Sequence, residues 1–189
     1  MKLLIEPCIL NFKIKHFLKK AGYDEAFIES KDSNSRISRI TIVTKDKNTL
    51  FNNIKLYTGN KLIFCKPLTE EILRICISYN KVNAITVDNV NFHLFKRRAM
   101  LNLIRLHDKT IEVILPYSSS YIIYKYIIWG YKWIRNILFS SCAKDFNEIW
   151  NPLSKVNYLI LHGADYEMAT YWVFKSPQVF LNNVSSNYY

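Results

Sequence analysis

Short β-branched runs alternate with amphipathic stretches along the chain, and this alternation narrows the fold more than any other feature. Leu3–Ile5 reads as a strand and Phe12–Ala21 as a helix stopped by Gly22. Glu25–Ile28 and Ile40–Thr44 read as strands. Lys47–Tyr57 places Leu50, Ile54 and Tyr57 at helical spacing, with Gly59 beyond its end. Lys61–Cys65 is a predicted strand, and Thr69 caps a helix with Glu70 and Glu71 in its first turn. Ala84–Val87, Thr110–Leu115 and Val156–Leu161 are further predicted strands. Phe92–His107, with a core face of Phe95, Ala99, Leu103 and Leu106, Tyr121–Phe139 after the Ser118–Ser120 cap, and Asp165–Phe174 with Pro177–Leu181 are predicted helices.

Strands that read as continuous apolar runs are buried on both faces, as in parallel sheets. Seven or eight strand–helix units predict an α/β, TIM-barrel-like closed barrel in preference to an open sheet. At 189 residues the chain is shorter than such barrels usually are, so some helices must be short or missing. No composition shift divides it, which predicts a single domain over residues 1–189, with a flexible loop at Lys31–Ser38 and a frayed tail at Val184–Tyr189.

Lys and Arg total 26 against 15 Asp and Glu, a formal charge of +11. A small domain this basic is drawn to polyanions, nucleic acid or an anionic membrane surface. Abundant Ile, Lys, Asn and Tyr fit an AT-rich coding bias that inflates Lys, which weakens charge as evidence. Cys8, Cys65, Cys76 and Cys142 form no Cys-x-x-Cys, so neither a zinc ribbon nor a disulfide framework is supported and a reducing compartment is favoured. The first residues carry Glu6 within an apolar stretch and lack a signal-peptide cleavage site. Tyr121–Phe139 contains Lys125, Lys132 and Arg135 and does not read as a membrane span. These features lead to the expectation of a cytoplasmic protein.

A metal-dependent phosphoesterase barrel needs clustered His, Asp and Glu at strand ends. His16, His93, His107 and His162 make no His-x-His or His-x-x-x-His pair. Asp88, Glu112 and Asp165 are the acids nearest predicted barrel ends, and Glu112, if interior, must be paired. No phosphate-cradling glycine loop or nucleophile elbow occurs. The expectation is no catalytic residue, metal or cofactor on this chain.

Cations are better organised. Lys96, Arg97 and Arg98 open the Phe92–His107 segment's polar side, and Arg98, Asn102 and Arg105 fall on one outer helical face. That spacing suits a phosphate backbone or an acidic partner. A solvated face is the simplest reading of a charge run, but cations near a helix N-terminus oppose its dipole. Arg97, a helical step of about 100° from Arg98, is free to turn inward toward an acid such as Glu112 or Asp88. On Tyr121–Phe139, Lys125, Lys132 and Arg135 are assigned one face, interleaved with Tyr121, Tyr124, Trp129 and Tyr131. Such a helix suits base stacking, a protein groove or an anionic membrane. Partner contact is favoured over RNA stacking, because so many aromatics cannot all be exposed on one soluble helix.

The order Lys81-Val82-Asn83-Ala84-Ile85-Thr86-Val87-Asp88, then Phe95-Lys96-Arg97-Arg98-Ala99-Met100-Leu101-Asn102-Leu103, then Ile111-Glu112-Val113 resembles the ribonuclease P protein component 3 family, archaeal with a eukaryotic nuclear counterpart. Leu159-Ile160-Leu161-His162-Gly163-Ala164 followed by Lys175-Ser176-Pro177-Gln178 is similar to the family's C-terminal motifs. Lys175 stands where that family usually has Arg, and His162 where Ser is common. The resemblance covers roughly Ile75 to Asn183 and implies a barrel of the polymerase and histidinol phosphatase type without its metal cluster. It implies a subunit of the ribonucleoprotein that removes the 5′ leader of precursor tRNA, supporting a catalytic RNA that carries the Mg2+. The implied partners are ribonuclease P RNA, protein component 2, the other protein subunits and precursor tRNA, with no membrane. The binding positions expected are Lys96, Arg97, Arg98, Asn102, Arg105, Lys125, Lys132, Arg135 and Lys175. The alternatives are a free metal-dependent phosphoesterase of the same fold and a peripheral membrane-surface protein.

Overall fold

Buried on both faces, seven short apolar strands have one stable solution, a parallel sheet wrapped by helices. They are β1 (Ile5–Ile9), β2 (Glu25–Glu29), β3 (Ser38–Thr44), β4 (Leu62–Pro67), β5 (Ala84–Val87), β6 (Thr110–Ile114) and β7 (Ile137–Ser140), neighbours in chain order and parallel throughout. The computed structural model describes residues 3–30, 37–59 and 61–186. The helices are α1 (Leu18–Ala21), α2 (Lys47–Tyr57), α3 (Glu70–Ser78), α4 (Arg98–Leu106), α5 (Ser120–Lys132), α6 (Pro152–Leu161), α7 (Tyr166–Thr170) and α8 (Ser176–Ser186). The result is a nearly closed, TIM-barrel-like α/β barrel in one domain.

Closure is made at the seam between β1 and β7. Its backbone share is the bridge Ile9↔Ala143, with Leu10 N–H donating to Ala143 O at 2.8 Å. Side chains do the rest: Glu6 accepts from the Ser141 N–H at 2.8 Å, the Ser141 hydroxyl at 3.1 Å and the Lys155 ammonium at 2.5 Å. Pro7, which lacks an N–H, sits in β1, where the edge toward β7 asks for few ladder bonds.

The expected trimming shows between β1 and β2, where α1 is only four residues long. β3 begins level with the end of β2, pairing Ile28 with Ser38 and Glu29 with Arg39. The stretch Lys31–Ser38 expected to be a flexible loop lies mostly outside the described residues, and Ser38 itself opens β3. At the other end α8 runs through Ser186 with Val184 buried, so the tail begins later than Val184, and residues 187–189 lie outside the described set.

Three predicted elements need correction. Tyr121–Phe139 is not one helix: α5 ends at Lys132, and Ile137–Ser140 leaves it to pair with β6. An unbroken apolar run hides such a break from periodicity. Val156–Leu161 is helical, not extended: Asn151 accepts from Leu153 N–H and Pro152 takes the first helical position of α6, and these start signals outweigh the β-branched composition. Phe92–His107 divides into a 3₁₀ turn, Phe92–Phe95, and α4, separated by Arg97 in extended conformation. The helical phase restarts there, so Met100, Leu101 and Ile104 are buried while Ala99 and Leu106 are exposed. Near the start, β1 occupies Ile5–Ile9 and Phe12–Phe17 is 3₁₀ before α1, which ends as predicted at Gly22 with φ +94°.

α7 and α8 are one bent run joined by a π-helical turn, Tyr171–Lys175. Pro177, the second residue of α8, has no N–H to donate into an ordinary turn, which is where a helix widens or kinks. The bend sends α8 under the barrel. Phe180 plugs its foot, 5.7 Å from the Phe27 ring and 5.6 Å from Phe64.

Candidate functional site

The cationic candidates on α4 come from local rules. Arg97 is the N-cap with no side-chain cap bond, Arg98 is the first helical residue and Arg105 lies in the last turn. Arg98, Asn102 and Arg105 are exposed at i, i+4 and i+7, one outward face. Arg105 suits the negative end of the helix, whereas Lys96, Arg97 and Arg98 crowd the positive end. Part of that repulsion is relieved: Arg97 donates to Glu70 at 2.8 Å and Arg74 donates to the other Glu70 oxygen at 2.9 Å. The Arg74 hydrogen bond, with help from Arg97, holds the Glu70 carboxyl below the usual carboxylate range. Arg97 therefore points outward to Glu70 and not toward Glu112 or Asp88. Lys96 lies over the Phe92 ring at 5.5 Å. Neither Arg98 nor Arg105 has an ion-pair partner among the described residues.

On α5, Lys125 stands over the rings of Tyr121 and Tyr124 at 5.4 and 5.9 Å. Lys132 lies 4.7 Å from the Trp133 ring. The aromatics divide: Tyr126 and Trp129 are buried, while Tyr121, Tyr124 and Tyr131 stay exposed. Arg135 does not share their face. It lies past the end of α5, in the connection to β7, and lines a cavity with Asp108, Asn136 and Met168. Lys175 is exposed at the end of the π-helical turn, on a different element from the other cations.

Sequence reasoning expected a partner for Glu112 if that carboxylate lay inside the barrel, but missed the partner, Arg39, and the buried pair of Glu6 with Lys155. Arg39 is 1% exposed and donates to both oxygens of Glu112, at 2.5 and 2.8 Å, to Glu29 at 3.1 Å and to Pro7 O at 2.9 Å. Because β3 and β6 are not neighbours, the Arg39–Glu112 pair spans the interior. The guanidinium also stacks on Phe64, 3.5 Å from its centroid. Thr86 donates to Glu112 at 2.7 Å. The signal was present: Glu112 lies within a predicted strand, and Glu6 and Arg39 directly border the predicted strands Leu3–Ile5 and Ile40–Thr44. Lys155, the partner of Glu6, lies just before the misread Val156–Leu161, in the overlooked first turn of α6.

Cys8, Glu112 and Cys142 bring their donor atoms within 4.8 Å of one another. Both Glu112 oxygens already serve Arg39 and Thr86, and burial with the Cys142 hydrogen bond pushes the Cys8 thiol up, so it stays neutral. A dication would have to displace a guanidinium and deprotonate thiols, a poor fit. His162 caps the end of α6 with its ring on Tyr158 O, not the end of a strand. Asp165 caps α7, and the Met168 N–H, with the Tyr131 hydroxyl, keeps its carboxyl low. Asp88 pairs with Lys66 and accepts from Val90 N–H. Cavities flank α8 at the N-terminal ends of the strands, one of about 330 Å³ between Leu3, Ile37, Leu62 and Leu181. That is the end opposite the one where barrels of this kind carry chemistry. Nearby, Lys109 donates to the carbonyls of Tyr79 and Val82, and burial draws its pKa down to about 8.

Neither a family model nor a curated protein matches the sequence. A solved structure does match the fold. It is a chain of the cryo-EM structure of archaeal ribonuclease P with mature tRNA, superposing with a TM-score of 0.76 at 13% identity over 95% of this chain and 90% of that one. At that identity the shared property is the fold. No helix among the described residues is long and apolar enough to cross a membrane.

Proposed function

We propose that this chain is a protein subunit of ribonuclease P of the component 3 kind, a barrel that supports the catalytic RNA and does no chemistry itself. The observation that carries the reading is the near-complete correspondence of the fold with a chain of an archaeal ribonuclease P. The component 3 assignment rests on the resemblance of the sequence motifs around Asp88, Arg98 and Gly163 to those of that family. On this reading Mg2+ belongs to the RNA subunit. Ribonuclease P RNA, component 2, the other protein subunits and precursor tRNA are the partners, and the compartment is the cytoplasm. Arg98, Asn102 and Arg105 meet RNA phosphates or an acidic subunit, with Lys96, Lys125, Lys132, Arg135 and Lys175 as secondary contacts.

The test is a pull-down of the tagged full chain from its native cells, probed for ribonuclease P RNA and precursor tRNA cleavage. Both are expected in the captured particle, and the purified chain alone is expected to leave precursor tRNA intact with or without Mg2+. Cleavage by the isolated chain, or a particle without the RNA, overturns the reading. Titrations of that RNA at several salt concentrations then separate the contacts. Arg98→Ala and Arg105→Ala each lower the salt slope by about 0.7 to 0.9 if they touch phosphate. They leave RNA binding unchanged and weaken subunit assembly if they touch protein.

A further inference from the structure

Helix α5 leaves a ridge uncovered. Tyr121, Tyr124, Ile128 and Tyr131 are 55%, 46%, 38% and 48% exposed, while Ile122, Ile123, Tyr126, Ile127 and Trp129 behind them are buried. The ridge residues are spaced three, four and three apart, which is the a/d seam of a helix that packs along another helix. Lys125 and Lys132 each follow a d position by one residue, so both lie on the same flank of the seam. No acidic residue occurs in α5.

The ridge is held in place before any partner arrives. Tyr121 packs edge-on against Phe92 at 5.9 Å. Tyr131 packs on Trp172 at 5.8 Å, and its hydroxyl accepts from the Asp165 N–H at 2.8 Å and donates to the Asp165 carboxylate at 2.7 Å. Ordering cost on binding is thereby reduced.

We propose that this ridge docks an amphipathic helix of another protein, with an apolar seam against Tyr121–Tyr131 and an acidic flank toward Lys125 and Lys132. The ridge is about 15 Å long, room for about three helical turns. Charge selects the occupant. A second copy of this chain would bring lysines to lysines between two bodies of charge +11. Single-stranded RNA stacks on open ring faces in grooves and sheets, whereas here the rings form a convex ridge and Lys125 stands over two of them. The inference rests on this surface alone and does not depend on the ribonuclease P reading.

The probe is a labelled three-heptad peptide with Leu at a and d and Glu at e and g. Its controls are a shuffled peptide of the same composition, a version with Lys in place of Glu, and a single-stranded RNA, each titrated against the full chain by fluorescence anisotropy. The wild type is expected to bind the acidic heptad peptide at least about tenfold tighter than the shuffled one. Ile128→Glu removes that preference, and Lys125→Glu with Lys132→Glu transfers it to the Lys-flanked peptide at an unchanged melting temperature. The charge-swapped variant carries the test if Ile128→Glu fails to fold. Equal binding of heptad and shuffled peptides, no transfer in the charge-swapped variant, or RNA binding that exceeds peptide binding and falls with Tyr124→Ala overturns the proposal.

Discussion

Arg39 is the residue on which the barrel interior turns. Its guanidinium neutralises Glu112, reaches Glu29 and covers Phe64, so a cation occupies the centre of the interior. A buried ion pair of this kind adds little net stability, since desolvation offsets the attraction, but breaking it from one side leaves an unpaired buried charge. Arg39→Met is therefore expected to lower the unfolding free energy by about 3–5 kcal/mol, because Glu112 is left without its cation. Arg39→Met combined with Glu112→Leu should recover most of that loss. Urea unfolding of both variants measures it, and a single variant that costs less than the double one would refute the account. A variant restored in this way still offers Arg98 and Arg105 to partners, so the interior pair and the outer face can be probed separately.

At the scale of elements, α5 is held against the barrel by a missing side chain. A Cβ on Gly130 would stand 2.4 Å from Trp172 Cζ2 and 3.0 Å from Ile137 Cδ1. Trp172 is fully buried in the π-helical turn, among packed neighbours that a shift of the indole would disturb. Gly130→Ala, which should favour an isolated helix, is expected instead to destabilise the protein by about 1–3 kcal/mol through overpacking, seen as a lower melting temperature. A rise would mean that the indole is free to shift. The same elements show what a sequence can and cannot reveal. The strands β5 and β6, helix α2 and the Thr69 cap were legible because local signals decide them. The Arg98–Asn102–Arg105 face was legible from spacing alone, although the buried side of α4 was misphased, because the extended Arg97 that resets it is a tertiary choice. α6 was misread because its Asn151-Pro152 start was overlooked. β7 was missed because only pairing with β6 distinguishes it from more helix. Glu112 was legible as a carboxylate needing a partner, yet its partner sits far away in sequence on β3.

For the whole molecule, the decisive joint is the seam. The other strand pairs run side by side in ladders, whereas β1 and β7 meet at one bridge and are held mainly through Glu6, Ser141 and Lys155. Lys155 comes from α6, so the helix that follows β7 locks the last strand to the first. The Lys155 ammonium also caps Phe139 O at 3.0 Å, tying β7 into the same network. Opening a barrel at such a joint needs far fewer backbone bonds to break than opening it between β3 and β4, which pair over six residues from Arg39↔Leu62 to Thr44↔Pro67. Local opening is thus expected at the seam first. Lys155→Met, which leaves the Glu6 carboxylate buried and unpaired, should cost about 3–5 kcal/mol. Native-state hydrogen exchange of the wild type should locate the weak joint: amides of β1 and β7 exchange through an opening of lower free energy than the global unfolding that governs those of β3 and β4. Equal opening free energies across the sheet would mean that the barrel opens as one unit and that the seam is no weaker than its ladders.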